Sequence, residues 1–105
     1  MDTKKGGSRM NNRSVWILRT LQKKYALEIL IDLLDYPFST VTDLCDRITA
    51  TNYKTVLERI KELNAYGLIE TSMAERYNAH QLNNTALGKS IAVAIKGALD
   101  SSANL

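Results

Sequence analysis

The spacing of apolar residues predicts a long first helix over residues 13–35. Apolar side chains recur there at intervals of three and four positions, the period of one face of a helix. They are Val15, Leu18, Leu21, Tyr25, Ile29, Leu30, Leu33 and Leu34. Four more apolar residues lie off that stripe: Trp16, Ile17, Leu27 and Ile31. A helix this broadly apolar has to be covered on more than one side. It therefore either crosses the centre of the domain or packs partly against a second subunit.

Pro37 predicts the end of this helix, because its ring blocks a helical hydrogen bond and favours extended geometry at the preceding Tyr36. A short second helix follows, and either Ser39 or Thr40 offers a hydroxyl N-cap for it. One face of that helix is apolar and consists of Val41, Leu44, Cys45 and Ile48. Cys45 is therefore interpreted as a small core residue rather than as a reactive thiol.

A third helix is predicted in the segment "TNYKTVLERIKELNAYGLIE". Thr51 or Asn52 caps its start, and Gly67, which can adopt a left-handed backbone, closes it. One face is apolar and predicts a contribution to the core by Tyr53, Val56, Leu57, Ile60 and Leu63. The opposite face is polar and consists of Thr51, Lys54, Thr55, Glu58, Arg59 and Glu62. That polar face either reads DNA or is an ordinary solvated face with weak ion pairs along the helix.

A short hairpin and a terminal helix complete the pattern. "LIETSM" alternates as a strand, "AERYN" is a polar turn, and "AHQL" returns as the second strand. Thr85 caps the terminal helix, whose apolar stripe is Leu87, Ile91, Ala94, Ile95 and Ala98. The predicted fold class is mainly α with a small β-hairpin.

Length and charge refine this picture. A chain of 105 residues is long enough for one compact domain. We predict a basic, disordered arm at residues 1–12, a domain at 13–100 and a flexible tail at 101–105. Residues 1–24 hold seven basic residues and one acidic residue, a net +6, whereas residues 25–105 hold seven basic and ten acidic residues, a net −3. A basic arm attracts polyanions, of which nucleic acid is the commonest, although a plain solvated tail explains the same charge.

The chain carries no residue pattern typical of an enzyme. It has no Gly-rich phosphate loop, no paired-cysteine metal motif and no nucleophile elbow. The single histidine, His80, and the single cysteine make a poor metal site, so neither a metal nor a cofactor is predicted. No apolar run is long enough to span a membrane, and no secretory cleavage site follows the basic start, so we expect a cytoplasmic protein.

The run "LEILIDLLDYPFSTVTDLCDRITATNYKTVLERIKELNAYGLIET", followed by "HQLNNTALGKSI", resembles a winged helix-turn-helix transcription regulator of the HxlR, PadR and MarR groups. The resemblance covers residues 24–95 and is most specific in "TVLERIKELNAYGLIE" and in "TALG". Two features depart from these families. The wing turn "AERYN" is short and has only Arg76 as a basic residue, and Tyr25 stands where the HxlR group has a tryptophan.

The resemblance implies that the third helix enters the major groove of double-stranded DNA. The implied DNA-binding residues are Thr51, Asn52, Lys54, Thr55, Arg59 and, in the wing, Arg76. Arg59 would bind guanine in a bidentate manner and Asn52 adenine, whereas Glu58 and Glu62 would repel phosphates.

We also predict a homodimeric repressor. The surplus apolar surface suggests a dimer interface formed by Val15, Trp16, Leu18, Ile91, Ile95 and Ala98. The alternative is a winged-helix module that binds a protein partner, which the acidic balance after residue 24 favours. The sequence does not indicate a small-molecule effector.

Overall fold

The computed structural model describes residues 11–74 and 79–103 of the chain. In this part of the chain five helices flank a two-stranded antiparallel hairpin, so the predicted fold class is confirmed. The elements are α1 (Asn12–Leu21), α2 (Ala26–Asp35), α3 (Val41–Arg47), α4 (Tyr53–Ala65), β1 (Ile69–Ala74), β2 (Ala79–Asn84) and α5 (Ala86–Ala103). The terminal helix thus continues three residues past its predicted end at residue 100.

The prediction of one long first helix is wrong, because α1 and α2 are separate helices. Gln22 is the C-cap of α1, and Tyr25 is the N-cap of α2, with a left-handed backbone at φ +73°. The Tyr25 side chain is buried, and its hydroxyl accepts a hydrogen bond from the backbone N–H of Thr51 at 3.2 Å. No glycine or proline marks the break. The burial and hydrogen bonding of Tyr25 offset the cost of a left-handed backbone at a residue other than glycine.

α2 lies at the centre of the core and packs against each of the other helices and against β2. Its residues Ile29, Leu30 and Leu33 are fully buried. The other elements cover them with Leu44, Val56, Leu63, Leu68, Ile69, Leu82 and Ala92. This arrangement explains why α2 is apolar on more than one side, and it confirms the central position that the pattern allowed for this part of the chain.

The turn between α2 and α3 is held by Arg47. Its guanidinium donates to both carboxylate oxygens of Asp32 and, at 2.5 Å, to the hydroxyl of Ser39. Ser39 in turn exchanges two backbone hydrogen bonds with Leu82 of β2, which fastens this turn to the hairpin. Thr40, one of the two predicted caps, accepts the backbone N–H of Asp43 at the start of α3. These bonds set the position of α3, and α4 lies next to α3 in the helix-turn-helix.

Cys45 is half-buried and packs against the core, as predicted. Burial raises the pKa of its thiol, so the thiolate, which is the reactive form, is disfavoured.

Gly67 lies in the connection from α4 to the hairpin, and Thr85 connects the hairpin to α5. Gly67 has φ +73°, the left-handed conformation predicted for the residue that closes α4. The two strands pair from Ile69 with Asn84 to Ala74 with Ala79. The Thr85 hydroxyl donates to the carbonyl of Gly67 at 2.6 Å and accepts the N–H of Gly88 at 3.1 Å. It is therefore both the predicted cap of α5 and a tie between α5 and the start of the hairpin. Within the described ranges, no helix is long and apolar enough to cross a membrane.

Candidate nucleic-acid interface

The N-terminal end of α4 projects from the domain as an exposed polar surface. Asn52 is the N-cap, and its side-chain oxygen accepts the backbone N–H of Thr55 at 3.1 Å. The exposed residues at this end are Thr51, Asn52, Tyr53 and Lys54. The first turn of α4 contains no acidic residue. No carboxylate of this turn therefore neutralises the positive end of the helix dipole, which favours the approach of an anion.

A corner formed by residues 22–25, between α1 and α2, is bonded to α4 at three points. The Tyr25 hydroxyl meets Thr51 at the start of α4. Farther along α4, the Arg59 Nε donates to the carbonyl oxygen of Lys24 at 2.9 Å, and the Lys23 Nζ donates to a Glu62 carboxylate oxygen at 2.6 Å. These contacts, spread over more than two turns of α4, fix the direction of its exposed end relative to α1 and α2.

The structure gives Arg59 a different position from the one that the sequence predicted. Its side chain is only 11% exposed, and its guanidinium is engaged by the Lys24 carbonyl and by the Glu62 carboxylate. The helical wheel placed Arg59 on the polar face but could not show that the corner covers that part of the face. A contact with guanine would require both interactions to be broken. Arg59 thus fastens the corner to α4.

The remaining predicted DNA-binding residues differ in exposure. Thr51, Asn52 and Lys54 are exposed together at the end of α4, and Thr55 is half-buried beside them. Asn52 already uses its side-chain oxygen as the cap, which leaves its Nδ2 as the polar atom for another partner. Arg76, the predicted wing contact, lies outside the described residues.

The two glutamates expected to oppose DNA binding occupy different environments. Glu62 is turned towards the corner, where Lys23 and Arg59 neutralise it. Glu58 is exposed on α4. Of the two carboxylates expected to repel DNA phosphates from this face, only that of Glu58 therefore remains as an obstacle to binding.

Sequence reasoning missed two residues at this surface. Tyr53 was predicted to be in the core but is 53% exposed, because the first residue of α4 extends beyond the helices that cover the rest of its apolar face. Lys24 was not singled out, yet its ammonium lies 5.1 Å from the ring centroid of Tyr25, whose hydroxyl contacts Thr51. The basic pair "KK" was visible in the sequence, but its position beside α4 depends on the break between α1 and α2.

The residues predicted to form a dimer interface lie on α1 and α5. Trp16, Leu18 and Ala98 are exposed, with Trp16 at 51% and Leu18 at 45%, whereas Val15, Ile91 and Ile95 are half-buried. On α5 the large apolar side chains that are exposed are Leu87, at 39%, Val93, at 53%, and Leu99, at 58%. Exposed apolar residues thus remain on both helices, although on α5 they are not the two isoleucines.

The ion pairs at the corner predict a dependence of stability on acid. Hydrogen bonding from Lys23 is the main cause that lowers the pKa of Glu62 below its usual value of 4.5, with Arg59 adding to it. Because the folded-state pKa is lowered, the stabilisation is present above about pH 4.5 and is lost as the pH falls through the lowered value. Glu62→Gln should therefore be less stable than the parent protein at pH 7, and the difference should shrink on acidification.

Urea unfolding of both proteins between neutral pH and pH 3 measures this difference. Glu58→Gln removes the same charge from the exposed side of α4 without touching Lys23 or Arg59, and so controls for net charge. A constant difference between Glu62→Gln and the parent across the whole pH range would show that the ionised carboxylate contributes nothing.

No protein-family model matches this chain, and no curated protein is significantly similar to it in sequence. Among residues 11–74 and 79–103, no group of three or more His, Cys, Asp or Glu side chains is placed to hold a metal ion.

Solved structures, in contrast, are similar to it in fold. The reduced form of the transcriptional regulator YodB from B. subtilis superposes with a TM-score of 0.74 at 18% identity, over 88% of this chain and 90% of that one. The transcriptional repressor BigR from Xylella fastidiosa gives 0.70 at 18% identity, with 87% of each chain covered. FabT from Streptococcus pneumoniae, solved in complex with DNA, gives 0.69 at 15% identity, over 87% of this chain and 70% of that one. The chain therefore has the winged helix-turn-helix fold of these solved structures.

Proposed function

We propose that this protein is a sequence-specific DNA-binding transcriptional regulator that acts as a homodimeric repressor. The observation that carries the proposal is the exposed, acid-free N-terminal end of α4 in a winged-helix fold. In helix-turn-helix proteins this end of the second helix of the motif meets base edges in the major groove. A structural neighbour, FabT, was solved bound to DNA, which supports the same use of the fold here.

Phosphate contacts come from both sides of the exposed end of α4. Lys54 lies on α4 itself, and Lys24 lies on the corner beside it. Each phosphate neutralised by a lysine releases condensed counterions, so binding weakens as salt rises. Arg76 in the wing and the basic residues at the start of the chain would add contacts of the same kind, which carry no sequence information.

Base reading is assigned to Asn52, Thr55 and Tyr53. Because the Asn52 oxygen caps α4, its Nδ2 is left to donate to a base acceptor such as N7 or O6 of guanine. This differs from the bidentate adenine contact that the sequence suggested, which needs both amide atoms. Thr55 is half-buried and can contact only a closely approaching group, for which a thymine methyl is suitable. Arg59 contributes by holding the direction of α4 rather than by touching bases.

Dimerisation is assigned to the exposed apolar parts of α1 and α5. Trp16 and Leu18 on α1, and Ala98 and Leu99 near the end of α5, are exposed, and an isologous contact with a second copy would cover part of this apolar surface. A two-fold dimer would place two α4 helices in successive major grooves, so the binding site would be an inverted repeat with half-sites about one helical turn apart.

Selection of bound sequences from random duplex DNA tests the proposal, with the parent protein and Asn52→Ser run in parallel. Serine caps a helix as well as asparagine does, so the variant keeps α4 intact while it loses the amide. We expect an inverted repeat from the parent protein. At one position in each half-site, Asn52→Ser should lose discrimination worth about 0.5–1.5 kcal/mol, the contribution of a single hydrogen bond.

Recovery of unrelated sequences by the parent protein would contradict base reading by α4. Identical preferences of the parent and Asn52→Ser would remove Asn52 from the reading surface and leave the rest of the proposal standing.

A protein-binding module is the second candidate, because one exposed surface suits a protein better than DNA. Tyr36 and Phe38 are 53% and 54% exposed on the turn before α3, and Asp43 and Asp46 are exposed on α3 itself. Carboxylates beside aromatic rings repel phosphates but accept a basic, apolar partner. A monomeric protein whose association with duplex DNA is insensitive to salt would favour this candidate.

A further inference from the structure

The end of α5 extends past the helix that covers its first half. Gly88 and Ala92 of α5 are buried. α2 ends at Asp35, and the carboxylate of Asp35 pairs with the Nζ of Lys96 at 3.2 Å. After Lys96, every residue of α5 from 97 to 103 is exposed. Within the described part of the chain, these two turns of helix, called the α5 extension below, are therefore not covered by another element.

The α5 extension continues the face of α5 that is turned towards the core. At 100° per residue, Leu99 lies within about 40° of Gly88, Ala92 and Ile95 around the helix. Leu99 is nevertheless 58% exposed, because the core ends before it. A helix end without packing is only marginally stable in water, since most helical stability in proteins comes from packing of the apolar face. A second surface that covers Leu99 would therefore stabilise the α5 extension.

α1 offers a surface with the complementary charge. Trp16 and Leu18 are exposed on it, and Arg19 lies between them around the helix. The Arg19 guanidinium lies 5.2 Å from the Trp16 ring centroid and pairs with no carboxylate among the described residues. Residues 11–27 contain no acidic residue at all.

The α5 extension carries the opposite sign. Asp100 is exposed on it, and the last turn of α5 contains no basic residue. The carbonyl end of the helix dipole adds negative potential at the same place. The two exposed apolar surfaces, on α1 and on the α5 extension, thus differ in charge.

These charges select one of the pairings that a two-fold dimer allows. Packing α1 against α1 brings cations together, and packing two α5 extensions against each other brings the Asp100 carboxylates together; like charges at an interface are unfavourable. Packing α1 against the α5 extension joins opposite charges. The positions agree with this pairing, because α1 leads into the start of α2 whereas the α5 extension begins beside its end. An antiparallel arrangement of two copies places each extension on the other copy's α1.

We propose that the α5 extension of each copy docks on α1 of a second copy, with Asp100 paired to Arg19 and Leu99 packed against the Trp16 ring. The inference rests on the homodimer of the proposed function and specifies which surfaces meet in it. Each contact occurs twice in the two-fold dimer, so a change to one residue acts at both contacts.

Charge reversal tests the pairing by sedimentation equilibrium, without DNA. Arg19→Asp and Asp100→Arg should each raise the dissociation constant of the dimer at least about tenfold, because each places like charges together at both contacts. The double variant restores opposite charges and should return the dissociation constant to near the parent value. Lys54→Asp and Glu70→Arg are the matched controls, since they make the same changes of charge at exposed positions of α4 and β1. Both should dimerise like the parent protein.

Trp16 fluorescence reports directly on the surface that is covered, because the chain has no other tryptophan. The emission of the parent protein should shift to shorter wavelength as the dimer forms on rising concentration. A parent protein that stays monomeric would overturn this pairing and the homodimer together. A dimer with unchanged Trp16 emission, single reversals that dimerise as well as the controls, or a double variant no tighter than the single ones would overturn the pairing and leave the homodimer standing.

Discussion

Gly88→Ala is expected to destabilise the domain more than any other single change considered for this protein. A Cβ on Gly88 would lie 1.9 Å from the carbonyl oxygen of Leu68 and 2.9 Å from its carbon, closer than non-bonded atoms approach. Both atoms belong to the backbone, so no side-chain rotation can relieve the clash. α5 would have to move away from the start of β1. We expect the free energy of unfolding to fall by about 3 kcal/mol, at the upper end of the range for overpacking.

The displacement would also break local hydrogen bonds. Thr85 links the two elements through its bond to the Gly67 carbonyl, and the backbone N–H of Thr85 donates to the same Leu68 carbonyl at 3.1 Å. Both bonds depend on the close approach that Gly88 permits. Thermal unfolding followed by circular dichroism measures the effect, and a loss of about 3 kcal/mol corresponds to roughly 10–25 °C in Tm for a domain of this size.

Gly97→Ala is the matched control in the same helix. A Cβ at Gly97 would meet nothing within 4 Å. Alanine is favoured over glycine inside a helix, so this variant should gain about 0.5–1 kcal/mol. If Gly88→Ala instead unfolds at the temperature of the parent protein, the tight contact between α5 and Leu68 is not present.

Arg59→Ala is expected to lower the stability of the domain without changing which bases it prefers. The variant loses the hydrogen bond to the Lys24 carbonyl and the pair with Glu62, both at a side chain that is only 11% exposed. A hydrogen bond to a charged group contributes about 1.5–3 kcal/mol to stability. We therefore expect the free energy of unfolding to fall by about 2 kcal/mol. Urea unfolding gives the stability, and selection from random duplex DNA gives the base preference.

This experiment separates two roles for Arg59 that the sequence left together. A residue that reads guanine would, when truncated, relax one position of the binding site and leave the stability nearly unchanged. A residue that holds α4 to the corner would lower stability and weaken binding to all sequences alike. A variant of full stability with one relaxed base position would restore the original prediction.

Lys54→Ala is the appropriate control for Arg59→Ala. It removes a positive charge from the same helix, but from an exposed position at the proposed DNA surface. Its effect on stability should stay within about 0.5 kcal/mol. Its effect on DNA should be a uniform loss of affinity, with the salt dependence reduced by about one phosphate contact. The two variants should therefore differ in stability and in the salt dependence of binding, whereas neither should change the base preference.

Much of the fold follows from local chemistry that can be read along the chain. Thr40, Asn52 and Thr85 cap helices because a side-chain oxygen reaches a free backbone N–H three residues ahead. Gly67 closes α4 with a left-handed backbone that favours glycine. The apolar period of 3.6 residues identified the buried faces of α2, α3 and α4, but not that of α5, where Gly88 and Ala92 are the buried residues. These signals depend only on neighbours within one turn, so the sequence by itself determined the order of the elements from α3 onwards and most of the core.

The candidate site was predicted less completely, because its geometry depends on residues far apart in the chain. The exposed end of α4 and its capping residue could be predicted. The hydrogen bond from the Arg59 side chain to the backbone carbonyl of Lys24, 35 positions earlier, could not be predicted. Tyr53 was assigned to the core because periodicity describes which side of a helix is apolar but not how far along the helix the neighbours reach.

The break between α1 and α2 shows most directly what only the tertiary structure decided. Residues 21–26 contain no glycine or proline, and the apolar period runs through them without interruption. The chain nevertheless turns at Tyr25, because its buried ring and its bonds to Thr51 stabilise a left-handed backbone that is unfavourable in isolation. The turn brings Lys23 and Lys24 to α4, from which the ion pair of Glu62 and the position of Arg59 both follow. Local periodicity cannot contain this information, since the energy that decides it comes from contacts formed only when the domain is folded.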